Sequence, residues 1–261
     1  MNPSSYIQAI SSHAARMSPA AGLAGLGAPV PTCPDWTVRD LIVHTGVVHR
    51  HKAETLRGDY QNEPAPVSEP PDGVLPDEEI LAWFDAGVVQ LLDACADADL
   101  TAPTWTWCGH DHHKDWWVRR MAHETAIHSV DAVIASGQQP MIEVSLAQDG
   151  VAEVLDEFMV GGPSWGVVVP TDRVVRLETP GRSWSLRTAE FSGTSPGTRT
   201  TYTDLAAFVY DDEAVPMATV ATDAVALDLW LWGRGELPDD AVTGDRTVVD
   251  HVRVVAAEAT A

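Results

Sequence analysis

Ten histidines occur in the 261 residues, and eight of them fall between His44 and His128. Imidazole nitrogens and carboxylate oxygens are the donors that hold zinc and other divalent first-row cations. Their placement on helices therefore decides whether such a cluster is chemistry or surface. In WWVRRMAHETAIHSVDAVIA, the residues Trp117, Met121 and Ala135 recur at helical spacing and define an apolar stripe. The same stripe passes through Glu124, His128 and Asp131. Burying a carboxylate and two further polar groups without partners would cost several kcal/mol, too much for a fold of ordinary stability. Something else must compensate.

A second interruption supplies a partner. In VRDLIVHTGVVHR, His44 stands three residues after Leu41 and four before Val48, on the apolar stripe of another helix. Imidazole and carboxylate from facing helices are how helix bundles build metal sites in their cores. Two imidazoles and one carboxylate suit zinc or another divalent first-row metal, and three protein ligands leave a coordination position open for chemistry. The same three residues could instead satisfy one another as a buried, hydrogen-bonded His–Glu–His cluster.

The remaining candidates are weaker. HETAIH is H-E-x-x-x-H, not the zinc-protease H-E-x-x-H; His123 and His128 are five residues apart, about 140° around a helix, and cannot share a ligand face. His123 is thus expected to face a neighbouring helix or the surface. Asp131, one turn beyond His128, could orient a ligand, act as a general acid or base, or sit on the helix surface. His49 and His51 are expected on the solvent side of their helix. His110, His112 and His113 share a polar loop. Trp105, Trp107, Trp116 and Trp117 flank that loop as core residues or as walls of a substrate pocket. Cys108 has no cationic neighbour at fixed spacing and is not expected to act as a nucleophile.

Four helices must position these groups. The first carries Tyr6, Ile7, Ile10, Ala14 and Met17 on one face and should give way to the loop AAGLAGLGAPVPTCP. The second opens at DWTVRDL, with Thr37 as N-cap, Asp40 at N3, and Trp36 and Leu41 as a hydrophobic staple. It should run to about Leu56 and stop at Gly58. A proline-rich loop, roughly Glu63 to Val74, leads to a third helix at LPDEE with the stripe Ile80, Phe84, Val88, Leu91 and Cys95. The fourth spans about Asp115 to Ser136. Four amphipathic helices within residues 1–140 predict a bundle.

Residues 141–261 read differently. One helix, about Ser145 to Val160, precedes β-like runs at Trp165–Val169, Arg173–Glu178 and Arg182–Thr188. A helix with Leu227, Trp230 and Leu231 ends at GRGELP, and a closing helix spans about Thr247 to Ala259. The expected class is α+β, a four-helix bundle followed by a smaller α+β domain.

Composition bounds the function. Sixteen Lys and Arg against 38 Asp and Glu give a net charge of −22, which repels phosphate backbones and anionic lipid surfaces. No nucleic acid or membrane partner is expected. A 45% hydrophobic and 21% charged composition is that of an ordinary globular protein. No apolar run is long enough to span a bilayer, and the first residues lack the basic-then-apolar order of a secretory signal. Three widely spaced cysteines make neither a disulfide framework nor a cysteine zinc site. A cytoplasmic protein, monomer or homodimer, is expected.

The segments CPDWTVRDLIVHTGVVHR, WWVRRMAHETAIHSVDA and DLWLWGRGELP resemble the mycothiol-dependent maleylpyruvate isomerase family, within the DinB-like metal-binding bundles. The resemblance implies a DinB-like bundle across residues 1–140 and a sterol-carrier-like domain beyond it. It places the family's metal triad on His44, Glu124 and His128 and its following aspartate on Asp131. Arg234 matches the arginine that would bind an anionic substrate group, although a cation near a helix C-terminus is favourable there without any ligand. The implied cofactors are a divalent metal, zinc first, and a mycothiol-type thiol. The metal would activate the thiol as a thiolate for isomerisation of, or S-transfer to, a small electrophile. A metal-dependent hydrolase and a non-catalytic protein that binds metal and a small ligand are the competing readings.

Overall fold

The computed structural model describes residues 1–67 and 75–260. Contacts divide the chain into two compact units, Met1–Ile142 and Glu143–Ala261.

The first unit is four helices. Helix α1 (Pro3–Ala24) starts with the Asn2 side chain accepting from the Ser5 amide, and with Pro3 where a missing N–H costs nothing. It runs past the point where the glycine- and alanine-rich sequence suggested a break. Alanine is the strongest helix former, and the helix ends only at Gly25, whose φ of +84° suits glycine alone. Helix α2 (Val38–Arg57) begins with both halves of the expected capping box: Thr37 accepts from the Asp40 amide, and Asp40 accepts from the Thr37 amide. Trp36 and Leu41 share one apolar cluster.

Helix α3 (Asp77–Asp97) has no side-chain cap, but Asp77, Glu78 and Glu79 in its first turn complement the helix dipole. Its expected stripe, Ile80 to Cys95, is buried. Helix α4 (Lys114–Ala135) is buried on nearly every face, which is why polar side chains on it need protein partners. It packs on α1 and α2, while α2 also packs on α3. Most of the proline-rich loop expected at Glu63 to Val74 lies outside the described residues.

The second unit places helices beside a five-stranded sheet. Helix α5 (Val144–Glu153) continues as a π-helical turn, Val154–Met159. The strands are β1 (Gly166–Thr179), β2 (Arg182–Thr194), β3 (Thr201–Tyr210), β4 (Ala218–Ala221) and β5 (Val242–Gly244), in the order β3-β2-β1-β4-β5. All neighbours are antiparallel except β1 and β4, which run parallel. Helices α6 (Ala224–Leu231) and α7 (Arg246–Ala259) complete the unit. The runs Trp165–Val169 and Arg173–Glu178, read separately in the sequence, form one strand. A register shift between Pro170 and Val174 absorbs the proline, which cannot donate to a regular ladder.

The chain is thus α+β, with a helical N-terminal unit and a sheet-containing C-terminal one. Among the described residues, no helix is long and apolar enough to cross a membrane.

Candidate metal centre

Helices α2 and α4 run antiparallel along their seam: His44 meets Glu124, His49 meets Thr125, and Lys114 reaches the end of α2 at Leu56 and Gly58. At one end of this seam two imidazoles converge on one carboxylate oxygen. His44 Nε2 is 3.2 Å and His128 Nε2 3.3 Å from Glu124 Oε1. One donor atom from each of the three residues falls within 4.8 Å of the others. Donors at about 2.0–2.1 Å around a four-coordinate zinc lie about 3.3 Å from one another, the spacing that each imidazole nitrogen keeps here from Glu124 Oε1. The donor set therefore fits a divalent cation. The His44 side chain is 39% exposed, while those of Glu124 and His128 are 17% and 11% exposed, so the cluster is open from the His44 side.

Two of the three ligand candidates are held by a hydrogen bond from or to a further residue. Arg120, one turn before Glu124, donates to its other oxygen, Oε2, at 2.7 Å. Asp131 Oδ2 lies 2.9 Å from His128 Nδ1, and Asp131 is itself fully buried. Thr32 donates its hydroxyl to Asp131 Oδ1 at 2.5 Å, and the Cys33 thiol lies 3.6 Å from Oδ2. The Trp36 ring covers both imidazoles, with centroids 4.8 Å from His44 and 5.8 Å from His128.

The electrostatics follow from these partners. Burial pulls the His128 imidazolium down, but hydrogen bonds and charges from Asp131 and Glu124 outweigh it and push the pKa up to about 9. Burial alone would raise Glu124; hydrogen bonds from His128 and His44 and the charge of Arg120 hold it well below the usual carboxylate range. Without a cation, the cluster is an Asp131–His128–Glu124 ion-pair chain with His128 protonated at neutral pH.

The first unit thus brings together His44, Glu124, His128 and Asp131. Arg234 belongs to the second unit, just past α6, where Nη1 donates to the Trp232 carbonyl at 2.6 Å. His123 turns to a neighbouring helix, its ring 6.2 Å from that of Tyr6 on α1. The loop histidines His110, His112 and His113 are exposed, and the Cys108 thiol is buried against the Asp111 backbone.

His49 departs from the expected solvent position. It is fully buried, with its ring 5.7 Å from Phe84 of α3 and its Nε2 2.9 Å from the Thr125 hydroxyl. That hydroxyl donates to the Met121 carbonyl, so His49 Nε2 carries the proton and donates to Thr125. Burial lowers its pKa to about 4. His51 is half-buried, with Nε2 2.9 Å from the Ala65 carbonyl.

Sequence reasoning missed several residues here. Arg120 was findable, since Arg and Glu four apart on one helix face form ion pairs. Thr32 carried no such signal, because it reaches Asp131 from 99 residues away. Lys52 was also missed: it is buried on α2 with its Nζ 3.4 Å from the centroid of the Trp117 ring.

Comparison with known proteins agrees with this architecture. Residues 8–133 match the family model described as the mycothiol maleylpyruvate isomerase N-terminal domain, and residues 145–251 match that of the MDMPI C-terminal domain. The chain is similar in fold to the crystal structure of the mycothiol-dependent maleylpyruvate isomerase, with a TM-score of 0.60 and 15% identity over 94% of each chain. The structure of a histidine-to-alanine mutant of that enzyme gives the same figures. No curated protein sequence matches the chain. With both of the family's domains matched in order along the chain, the protein belongs to the mycothiol-dependent maleylpyruvate isomerase family.

Proposed function

We propose that this protein is a divalent-metal-dependent enzyme that uses a mycothiol-type thiol to isomerise a small electrophilic substrate. The observation that carries the reading is the convergence of His44 and His128 on Glu124 Oε1 across the α2–α4 seam. The similar enzyme of known structure is named for mycothiol dependence and maleylpyruvate isomerisation, and membership of its family makes that chemistry the expected one here.

In this reading His44, Glu124 and His128 hold the cation. Two imidazole nitrogens and one carboxylate oxygen are a donor set that favours zinc. A divalent cation held there supplies the Lewis acidity that keeps a thiol in its thiolate form at neutral pH.

The chain's own residues do the rest. Asp131 accepts from His128 Nδ1 and so keeps Nε2 turned to the site. With Thr32 and Cys33 also on its oxygens, Asp131 orients its neighbour rather than shuttling protons. Arg120 fixes Glu124 through Oε2 and leaves Oε1 to the site. Trp36 shields the imidazoles. Arg234 keeps the role that the family resemblance gives it, a cation for an anionic group of the substrate. A cytoplasmic location, where low-molecular-weight thiols stay reduced, accords with three free cysteines.

The test combines elemental analysis of the purified protein with turnover of a cis-unsaturated electrophile in the presence and absence of thiol. The expected result is about one divalent cation per chain and cis–trans conversion that requires thiol without consuming it. Thiol consumed one-for-one with product would make the enzyme an S-transferase. Cleavage of a substrate bond by water without thiol would make it a hydrolase, and absence of any cation would overturn the reading.

A further inference from the structure

Two lysines are buried along the α2–α4 seam, and they are used differently. Lys114 Nζ donates to the carbonyls of Leu56 and Gly58, at 2.7 and 3.0 Å, closing the C-terminal end of α2. Lys52 is only 7% exposed, yet no carboxylate or carbonyl among the described residues accepts a hydrogen bond from its ammonium. Among the described residues, its close partner is the face of Trp117, 3.4 Å from Nζ to the ring centroid. Nζ is not among the described polar atoms that are both sealed from solvent and unpartnered, so the N–H donors that the ring leaves unused stay open to solvent and to a ligand.

Its position says for what. Trp117 and Glu124 are seven residues apart on α4, two turns on nearly the same face and about 10 Å along the axis. Lys52 follows His44 by eight residues on α2, and helical side chains lean toward the N-terminus of their helix, here toward His44. The carboxylate of Glu124 acts on Lys52, raising its pKa against the burial that brings it down to about 8. The platform beneath the ammonium is fixed, because Trp117 Nε1 donates to the Trp105 carbonyl at 2.7 Å and its ring packs edge-on to Trp116. The other buried cation near the cluster, Arg120, is engaged by Glu124. In a chain of net charge −22, a fixed cation whose donors meet no acceptor among the described residues, about two turns from Glu124, is a selective place for an anion.

We propose that Lys52, poised over Trp117, is a specificity-determining residue that binds a carboxylate of the electrophilic substrate while the substrate's reactive carbon lies toward His44, Glu124 and His128. This rests on the functional reading above and deepens it: the site selects carboxylate-bearing electrophiles over neutral ones of the same shape.

The test is direct binding, which needs no turnover. Crotonate and crotonamide share an unsaturated skeleton and differ in charge, and their binding is followed by tryptophan fluorescence in the full-length, metal-loaded protein. Wild-type protein is expected to bind crotonate at least about tenfold more tightly than crotonamide. In an R234A background, which removes the other cation assigned to the substrate, K52M, which keeps length and contact with the ring, should lose that preference, and K52R, which keeps the charge, should retain most of it. A preference that survives in K52M, or that is missing from the wild type, overturns the assignment. Thiol-dependent isomerisation combined with equal binding of both probes refutes Lys52 alone. Lys52-dependent carboxylate binding without isomerisation refutes the reaction alone.

Discussion

Asp131 Oδ2 meets His128 at Nδ1, 2.9 Å away, on the ring edge opposite the nitrogen that faces Glu124. A carboxylate here specifies which ring nitrogen carries the proton when the other serves as a ligand. Asp131→Asn can still accept from Nδ1 but removes the charge that makes the imidazole a stronger donor. The expected loss in metal affinity is about 10- to 100-fold, with an unchanged circular dichroism spectrum. Competition against a zinc chelator measures it. Wild-type affinity in the variant would show that the 2.9 Å contact serves only the fold.

The helix-face argument separates two histidines five positions apart. His128→Ala should lose the proposed cation, since it deletes one of the three ligands proposed for it. His123→Ala should keep it and lose packing against Tyr6, with a lower thermal midpoint. Elemental analysis of both purified variants decides the matter. Equal metal loss would mean that the face of α4 has been misassigned.

Metal uptake should be pH-dependent with a defined sign. His128, with its pKa raised to about 9 in the metal-free protein, must release a proton before it can ligate. Apparent affinity should therefore rise about tenfold per pH unit between pH 7 and 8.5 and level off above about 9. The stability of the metal-free protein should move the other way. A raised imidazolium pKa stabilises fully below the unfolded value and loses that contribution as pH rises through the folded one. Calorimetric titration at pH 7 in two buffers of different ionisation enthalpy should report about one proton released per cation. A flat affinity profile would remove His128 from the ligand set or its proton from the metal-free state.

Legibility followed from how locally each feature is encoded. Glu124 and His128 stood out because each breaks an apolar stripe on a helix, and a stripe is a property of neighbouring residues. The Thr37–Asp40 box was equally readable, since both partners lie within one turn. The contact from Thr32 to Asp131 was not, because it joins a loop to a helix at a separation no periodicity encodes. Strand β1 was divided in two by Pro170, a residue that usually ends strands but here sits at a register shift. Strands β4 and β5 are only four and three residues long, too short for alternation to register. His49 was placed outside because a helix was assumed to have one buried face. Helix α2 has two, one on α4 and one on α3, and His49 lies between Thr125 and Phe84.

That burial gives the last prediction. His49 stays neutral when folded, with its pKa lowered to about 4, whereas in the unfolded chain it titrates near its ordinary 6.5. A depressed folded pKa means that the unfolded state takes up the proton first. Stability is therefore full above about 6.5 and falls as pH drops toward 4, by on the order of 3 kcal/mol in total. His49→Gln is the informative variant, because its amide can donate to Thr125 as Nε2 does while carrying no titratable group. At pH 7 it should cost about 1–2 kcal/mol in lost ring packing against Phe84. Between pH 7 and pH 4.5, however, it should lose about 2 kcal/mol less than the wild type, as measured by urea unfolding at each pH. Parallel declines in the two proteins would mean that the imidazole is charged, or reached by water, in the folded state.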